Sequence, residues 1–345
     1  PRPELGSLLL VELGHIFPAF RERWVRYEDD DIIVVDKPAF VSSQESSEGQ
    51  TDDLVNRLKL YLAGGRAHEG REPYLGIHQR LDRDTSGLVL YAKRKEANAS
   101  LAKQFETRTI KKDYVALVRH FRGAESRTLH NWLEPPRQGV VSVAKGKTRT
   151  ASQATTHVSV QERTVHACLL KLSLETGRTH QARVQLAHAG APILGCALYG
   201  GESASRLFLH AAKLTFKHPR TGKSLEITAE VPEAFWRTLR GAGDDWVYDA
   251  PDALLAQLEL ACDRRYSLAA SGHTNAFRLV NDLGDALPRL AVDVYTDYAV
   301  AQFYEDDATW GDAARSERVL NALHSLGFIG VYAKWRPKQA NTLVD

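Results

Sequence analysis

The chain has 345 residues, of which 45 are Lys or Arg and 43 are Asp or Glu, so its formal net charge is +2. Hydrophobic residues make up 43% and charged residues 26%, and no apolar run approaches the roughly 20 residues of a membrane-spanning helix. These features exclude a membrane protein and, because no signal peptide opens the chain, predict a cytoplasmic one. Cys168, Cys196 and Cys262 lie far apart without metal-ligand spacing, which predicts a reducing compartment and no bound metal.

The small overall charge conceals a basic first part and an acidic second part. Residues 1–240 carry 36 Lys and Arg against 27 Asp and Glu, whereas residues 241–345 carry 9 against 16. A basic body of this kind favours a polyanionic partner bound by the first part. The composition breaks at GAGDDWVYDAP, residues 241–251, so we predict a domain at 23–240, a linker and helix at 241–262, and a further domain at 263–345.

Hydrophobic periodicity predicts the elements of the first part. Residues 114–118, 167–174 and 182–186 each fit either a strand or the edge between a strand and a helix. The other predicted elements are, in chain order, a strand at 32–36 and helices at 51–63 and 96–107. Short strands interleaved with helices, without regular βαβ alternation, predict an α+β fold on a mixed sheet.

The second part also shows alternating elements, which predict a small α/β domain. A hairpin is indicated around Thr296-Asp297, where alternating apolar residues flank a turn. The remaining predicted elements are helices at 252–260 and 312–326 and a strand at 328–333.

The most informative stretch is IHQRLDRDTSGLVLYAK, residues 77–93. It places Asp82 between Arg80 and Arg83, and nearby positive charge favours the ionised form of a carboxylate. Such a carboxylate is available as a nucleophile or base. The alternative is that Asp82 merely caps a turn that leads into a buried strand.

This stretch resembles the second motif of the RluA-type pseudouridine synthases, and other segments resemble further motifs of that family in order. They are YEDDDIIVVDKP at 27–38, KDYVALV at 112–118, ETGRTHQARVQLAHAGAPILGCALYG at 175–200, and LHAAKLTFKHPRTG followed by AEVP at 209–232. The resemblance covers roughly residues 23–240. It implies a curved, largely antiparallel sheet with a cleft across its middle, followed here by the small α/β domain.

The resemblance also implies a set of site residues. Asp82 falls on the family's catalytic aspartate, Tyr114 on its active-site tyrosine, and Arg183 on the arginine that pairs with the aspartate. Arg80 falls on the arginine that fills the gap left by a flipped base. For RNA binding we add, from the same motifs, Lys37, Arg83, Arg178, His180 and Gln181, although Lys37 also fits a purely structural role.

Three positions depart from the family pattern. Gln79 replaces the histidine that usually precedes the Arg-Leu-Asp triplet, Gln185 replaces a histidine of the third motif, and Cys196 replaces an aspartate. None of the three carries the central chemistry in the family. We therefore expect activity to be kept and any effect of these changes to fall on how the RNA is positioned.

A second resemblance concerns residues 274–345. NAFRLVNDLGDALPRLAVDVYTDYAVAQFY and VYAKWRPKQANTLVD are similar to the region that precedes the catalytic domain of class I rRNA methyltransferases. No Gly-rich loop for S-adenosylmethionine is present in the sequence. We therefore expect no methyltransferase activity from these residues, and S-adenosylmethionine only with a further C-terminal domain. A generic α/β interaction module is the alternative.

Taken together, the sequence predicts an RNA pseudouridine synthase, an isomerase that acts on structured RNA, with rRNA favoured over tRNA. The reaction breaks and remakes a glycosidic bond without oxidation or hydrolysis, so no cofactor or metal is expected. Two mechanisms stay open, because the aspartate can attack the sugar or assist removal of a sugar proton. The alternative function is a non-catalytic RNA-binding module that serves a fused methyltransferase.

Overall fold

The computed structural model describes residues 14–44, 52–64 and 72–336. Contacts divide the chain into two compact units. The first is Phe20–Gly241, and the second combines Pro1–Ala19 with Ala242–Asp345. Within the second unit, the described residues Ile16 and Phe17 are buried in the same core as the residues after 242, a contribution that the sequence analysis did not foresee.

The described part of the first unit contains eleven strands and four helices. The strands are β1 Val25–Glu28, β2 Ile32–Lys37, β3 Gly76–Ile77, β4 Ser86–Ala92, β5 Lys111–Val118, β6 Ser126–Leu133, β7 Val143–Ala144, β8 Ser152–Arg163, β9 Cys168–Leu174, β10 Leu209–Lys217 and β11 Ser224–Thr228. The helices are α1 Leu54–Leu62, α2 Lys95–Glu106, α3 Gln181–His188 and α4 Glu233–Leu239.

All eleven strands belong to one mixed sheet. Its main path runs β1-β2-β4-β10-β5-β9-β8-β6-β7, with β11 paired to β10 and β3 paired to β4. The pair β4–β10 is parallel, and the other pairs of this sheet are antiparallel. The predicted α+β fold with a mixed, largely antiparallel sheet is therefore confirmed.

The middle of this sheet is buried on both faces. Alternate residues of β2 enter different clusters, with Ile33 on the side of α1 and Ile32 on the side of α2. Helix α1 begins after Asp53, whose carboxylate accepts the amide of Asn56 and so caps the first turn. Because both faces are covered, β4 is buried along its whole length, and its N-terminal end fixes the loop that precedes it.

The second unit has its own sheet, in the order β12-β13-β14-β15. Its strands are β12 Ala276–Asn281, β13 Leu290–Tyr295, β14 Tyr298–Tyr304 and β15 Gly330–Arg336, and its helices are α5 Pro251–Arg264, α6 Tyr266–Ser271, α7 Asp307–Trp310 and α8 Ala313–Ser325. The predicted hairpin is present, with Thr296 in the left-handed region at its turn.

Some boundaries differ from the sequence prediction. Residues 182–186, left open between strand and helix edge, lie within α3. Helix α5 starts at Pro251 and packs Leu254 and Leu258 into the core of the second unit. The division into 23–240, 241–262 and 263–345 stays a prediction, and residues 337–345 of the methyltransferase-like segment lie outside the described residues. Among the residues the structure describes, no helix is long and apolar enough to cross a membrane.

Candidate active site

The Asp82 loop, residues 80–85, lies between β3 and β4, and hydrogen bonds fix its backbone. The Ser43 hydroxyl accepts the amide of Leu81 at 3.0 Å and donates to the carbonyl of the same residue at 2.7 Å. The amide of Thr85 closes the turn on the Asp82 carbonyl at 3.1 Å. These bonds fix the backbone on both sides of Asp82 before any substrate arrives.

Lys37 ties the same loop to the end of β2. Its side chain is fully buried, and Nζ donates to the carbonyls of Pro38, Val41 and Arg83 at 2.7–2.9 Å. Burial lowers the pKa of Lys37 to about 7, and the negative charge of Asp84 opposes this. Since its three donors are used inside the protein, Lys37 is not accessible to RNA. This corrects the predicted RNA contact and favours the structural role.

A second buried network holds the start of β4. The Ser86 hydroxyl accepts from Arg206 Nη2 at 2.5 Å and lies 2.8 Å from His210 Nδ1. Burial, together with the charge of Arg206, lowers the pKa of His210 to about 3, so its ring is neutral. Next to Ser86, Gly87 has φ +115, and a Cβ there would lie 2.4 Å from the Ala211 carbonyl oxygen. Only glycine permits this close approach of β4 to β10.

The carboxylate of Asp82 meets a residue 101 positions further along the chain. Arg183 Nη1, on α3, donates to Asp82 Oδ2 at 2.8 Å, as the third motif implies. Arg183 Nε in turn donates to Cys196 Sγ at 3.3 Å. Cys196 is buried and stands where the family has an aspartate, so Arg183 keeps a second but weaker acceptor there.

His180 and Tyr199 form a further layer behind the carboxylate. His180 Nε2 lies 3.8 Å from Asp82 Oδ2, and Nδ1 lies 2.9 Å from the Tyr199 hydroxyl oxygen. That oxygen accepts the amide of Val141 at 2.9 Å, and the Tyr199 ring lies 5.5 Å below the Arg183 guanidinium. Burial lowers the pKa of His180, so the ring is neutral at pH 7. Sequence reasoning missed Tyr199, although it stands within the segment that carries Arg183.

His180 also adopts a left-handed backbone, with φ 53, at the start of α3. A non-glycine residue in this region costs on the order of 1–2 kcal/mol. Strain of this kind concentrates at functional sites, where the surrounding structure holds it. The conformation turns the chain so that His180 and Arg183 both reach Asp82.

Tyr114 lies on β5 beside the loop, in register with Ala211, which itself pairs with Gly87. Burial raises the pKa of Tyr114 well above its usual value, and the charge of Asp82 adds to the effect. Its phenol therefore stays protonated near neutral pH. It can donate a proton or a hydrogen bond, but it is a poor base.

A cleft of about 1000 Å³ opens above the loop. Five of the predicted residues line it: Arg80, Asp82, Arg83, Tyr114 and Arg178. This volume is ample for a nucleotide and its neighbours. Arg80, Arg83 and Arg178 are exposed, so each is accessible to RNA.

Gln181 does not face the cleft. It is buried and donates to the Thr155 carbonyl and the Thr156 hydroxyl, while its own carbonyl accepts from Thr176 and Arg178. It fixes the turn before α3, which corrects the predicted RNA contact. Gln185, one of the three departures, is likewise buried and donates to the carbonyls of Leu129 and Ala154 and to the side chain of Asn131.

A different cluster has side chains of the kinds that bind metal ions, but these side chains are already hydrogen-bonded within the protein. Asp29, Asp31 and His218 bring three potential ligand atoms within 4.8 Å. Arg220 binds both oxygens of Asp31 at 2.5 Å, and His218 binds Asp29 at 2.8 Å. We assign this cluster a structural role at the start of β2.

Comparisons with known proteins agree with this arrangement. The sequence profile described as RNA pseudouridylate synthase matches residues 31–188. "Ribosomal large subunit pseudouridine synthase C" of Yersinia pestis is 36% identical over 219 residues, which cover 59% of this chain and 64% of that protein. The Escherichia coli K12 protein of the same name is 36% identical over 232 residues, which cover 63% and 69%.

Solved structures show the same fold. Human RNA Pseudouridylate Synthase Domain Containing 4 aligns with a TM-score of 0.52 at 20% identity, covering 69% of this chain and 96% of that one. Human RNA Pseudouridylate Synthase Domain Containing 1 aligns with a TM-score of 0.50 at 25% identity, covering 62% and 85%. The first unit is therefore an α+β domain of the pseudouridine synthase class.

The chain belongs to the RNA pseudouridylate synthase family, a family of RNA isomerases, as its motifs predict. It spans between 64% and 69% of the length of the two bacterial relatives named above. The roles of individual side chains and the fusion to a methyltransferase-like part stay predictions.

Proposed function

We propose that this chain converts uridine to pseudouridine in large-subunit ribosomal RNA, with Asp82 as the nucleophile or base. The contact of 2.8 Å between Arg183 Nη1 and Asp82 Oδ2, beside the nucleotide-sized cleft, carries this proposal. A guanidinium that donates to a carboxylate fixes the direction in which the carboxylate points. The names of the bacterial relatives support ribosomal RNA as the substrate and, with it, a cytoplasmic location.

In this mechanism Asp82 acts against the sugar of the target uridine, as the carboxylate of a retaining glycosidase does. It either bonds to the anomeric carbon or assists removal of the neighbouring sugar proton. Tyr114 stays protonated and stacks on the uracil, and it serves as a donor while the base turns and rejoins through carbon. That ring carbon then loses its proton and the ring nitrogen released from the sugar gains one, so the isomerisation exchanges no net proton. No electron acceptor, metal or nucleotide cofactor is needed for this isomerisation.

Behind Asp82, the Tyr199 hydroxyl orders His180. Because the Tyr199 oxygen accepts the amide of Val141, its own proton is available to His180 Nδ1. The neutral imidazole then carries its proton on Nε2, which faces Asp82 Oδ2. This tautomer turns an N–H toward the carboxylate beside Arg183, at a distance longer than a hydrogen bond.

Arg80 is proposed to act on the RNA rather than on the reaction. An enzyme that takes a base out of a paired region leaves a gap in the stack. Arg80 is exposed at the rim of the cleft, two residues before Asp82, and is placed to fill that gap. We expect Arg80→Ala to weaken productive RNA binding while the thermal melting temperature stays unchanged.

The deciding experiment compares Asp82→Asn with Asp30→Asn, which removes an exposed carboxylate of the same unit. Ribosomal RNA fragments are incubated with each full-length variant, and pseudouridine is mapped by specific chemical labelling. We expect Asp82→Asn to keep RNA affinity and to lose at least about a thousandfold in rate. If the unsubstituted chain binds the fragments but forms no pseudouridine, the non-catalytic binding module is the correct reading.

A further inference from the structure

Some basic side chains of the first unit are neutralised by carboxylates of the protein. Lys93 Nζ lies 2.5 Å from Glu28, and Arg220 binds both oxygens of Asp31. Arg108 and Lys112 differ, because within the described residues no carboxylate pairs with either of them. Both side chains line the same cleft as Asp82.

Lys112 is one of the residues that line the cleft, and its ammonium group is the main cation considered below. It is half-buried, and Nζ donates to the Thr176 carbonyl at 3.4 Å, a long bond that leaves donor capacity toward the cleft. A Cβ on Gly177 would lie 3.1 Å from Nζ, so the glycine leaves the ammonium open on that side. Burial lowers the pKa of Lys112, and the positive charges of Arg108 and Arg178 lower it further. The side chains of all three cations line the cleft.

The acidic residues of the cleft do not cancel this charge. Glu175 is bound by His157 Nε2 at 2.6 Å, and Glu106 is exposed at the end of α2. Arg178 is anchored through Nε, which donates to the Gln153 carbonyl at 3.3 Å, so its terminal nitrogens are the part available to a ligand. Cations that line one cleft and form no ion pair with a carboxylate of the described residues suit a phosphate group.

We propose that Arg108, Lys112 and Arg178 form a binding site for one backbone phosphate of the RNA, next to the nucleotide whose base enters the cleft. The site rests on the proposed function for its ligand but not on the chemistry of Asp82. It fixes the register of the strand and reads no base. The part of the cleft that Arg80 and Asp82 line then receives the target nucleotide.

The test uses a uridine-containing hairpin from ribosomal RNA, in which single linkages around the target are replaced one at a time by uncharged methylphosphonates. Binding to the full chain is measured for the unsubstituted protein, Lys112→Met and the control Lys111→Met. Lys111 is an exposed neighbour on β5, so its loss changes net charge equally. We expect Lys112→Met to weaken binding about five- to tenfold and to reduce the slope of log K against log salt by about 0.7–0.9.

The signature of the site is the response of the three proteins to neutralisation of one particular linkage. Neutralising it should weaken binding to the unsubstituted protein and to Lys111→Met, and should cause a clearly smaller loss in Lys112→Met, where only Arg108 and Arg178 remain, because the partners of one contact are not additive. Equal losses in all three proteins at each linkage overturn the site. Pseudouridine formation is followed in parallel, so a protein that shows the signature without product retains the phosphate site and loses only the proposed function.

Discussion

Asp82 is held by two regions of the first unit that work in different ways. One region holds its backbone, through buried donors and acceptors at Lys37, Ser43 and Ser86. The other holds its carboxylate through Arg183, from a remote segment, with His180 lying 3.8 Å away. The backbone side is closed to solvent, whereas the carboxylate side opens on the cleft.

This difference separates structural from chemical roles within motifs that look equally informative in the sequence. A substitution on the backbone side leaves buried carbonyls or hydroxyls without partners, so its main cost is stability. A substitution on the carboxylate side changes how Asp82 is aimed, so its main cost is turnover. Three substitutions test this division.

The largest effect on stability is expected for Lys37→Met. The change removes the donor to the carbonyls of Pro38, Val41 and Arg83, the last of which belongs to the Asp82 loop. We expect a loss of about 3 kcal/mol in the free energy of unfolding, measured by urea denaturation. Lys103→Met, on the exposed side of α2, is the control and should change it little. Equal stability of the two variants would contradict the role of Lys37.

A smaller effect on stability, which depends on pH, is expected when His210 is replaced. The pKa of His210 is about 3 in the folded protein, against about 6.5 in an unfolded chain. Between these values the unfolded state binds a proton that the folded state does not, so stability falls as pH decreases from 6.5. The slope reaches about 1.4 kcal/mol per pH unit for one group.

The measurement is the free energy of unfolding between pH 7 and pH 4. His210→Gln should lower stability at pH 7 and flatten its dependence on pH by the slope of one proton. His188→Gln, an exposed histidine of α3, should leave the dependence unchanged. An unchanged slope in His210→Gln would show that this ring does not titrate between the two states.

On the carboxylate side, Tyr199→Phe tests the orientation of His180. The variant keeps the ring below Arg183 but removes the hydroxyl between Val141 and His180. We expect kcat to fall about tenfold, with KM and melting temperature nearly unchanged. Nitrogen NMR should show a mixture of His180 tautomers, and Tyr74→Phe, at an exposed position, should show neither change. If His180 kept a single unaltered tautomer in Tyr199→Phe, the proposed ordering of His180 by Tyr199 would be wrong.

The apolar elements of the fold could be predicted from the sequence, but the polar strands could not. The predicted strand at 32–36 and helix at 96–107 lie within one residue of β2 and α2, because their periodicity is strong. Strands β6 and β8 were missed, since polar residues alternate along them and each is stabilised by pairing with the other. Pairing between distant segments leaves no local pattern to detect.

The candidate site was predicted unevenly for a similar reason. The contact between Asp82 and Arg183 is present as the motifs imply. Lys37 and Gln181 were assigned to RNA because a charged or polar residue in a motif does not reveal whether its partners are inside the protein. Whether a polar side chain faces RNA or a buried carbonyl depends on burial, which only the folded chain decides.

The 101 residues that separate Asp82 from Arg183 have a consequence for how this enzyme matures. The loop between them must close before the pair can form, and long-range closure is among the later and slower events of folding. An amino-terminal fragment that ends before α3 therefore carries the aspartate without its arginine. On the proposed role of Arg183, a nascent chain therefore gains its activity only after α3 has been synthesised.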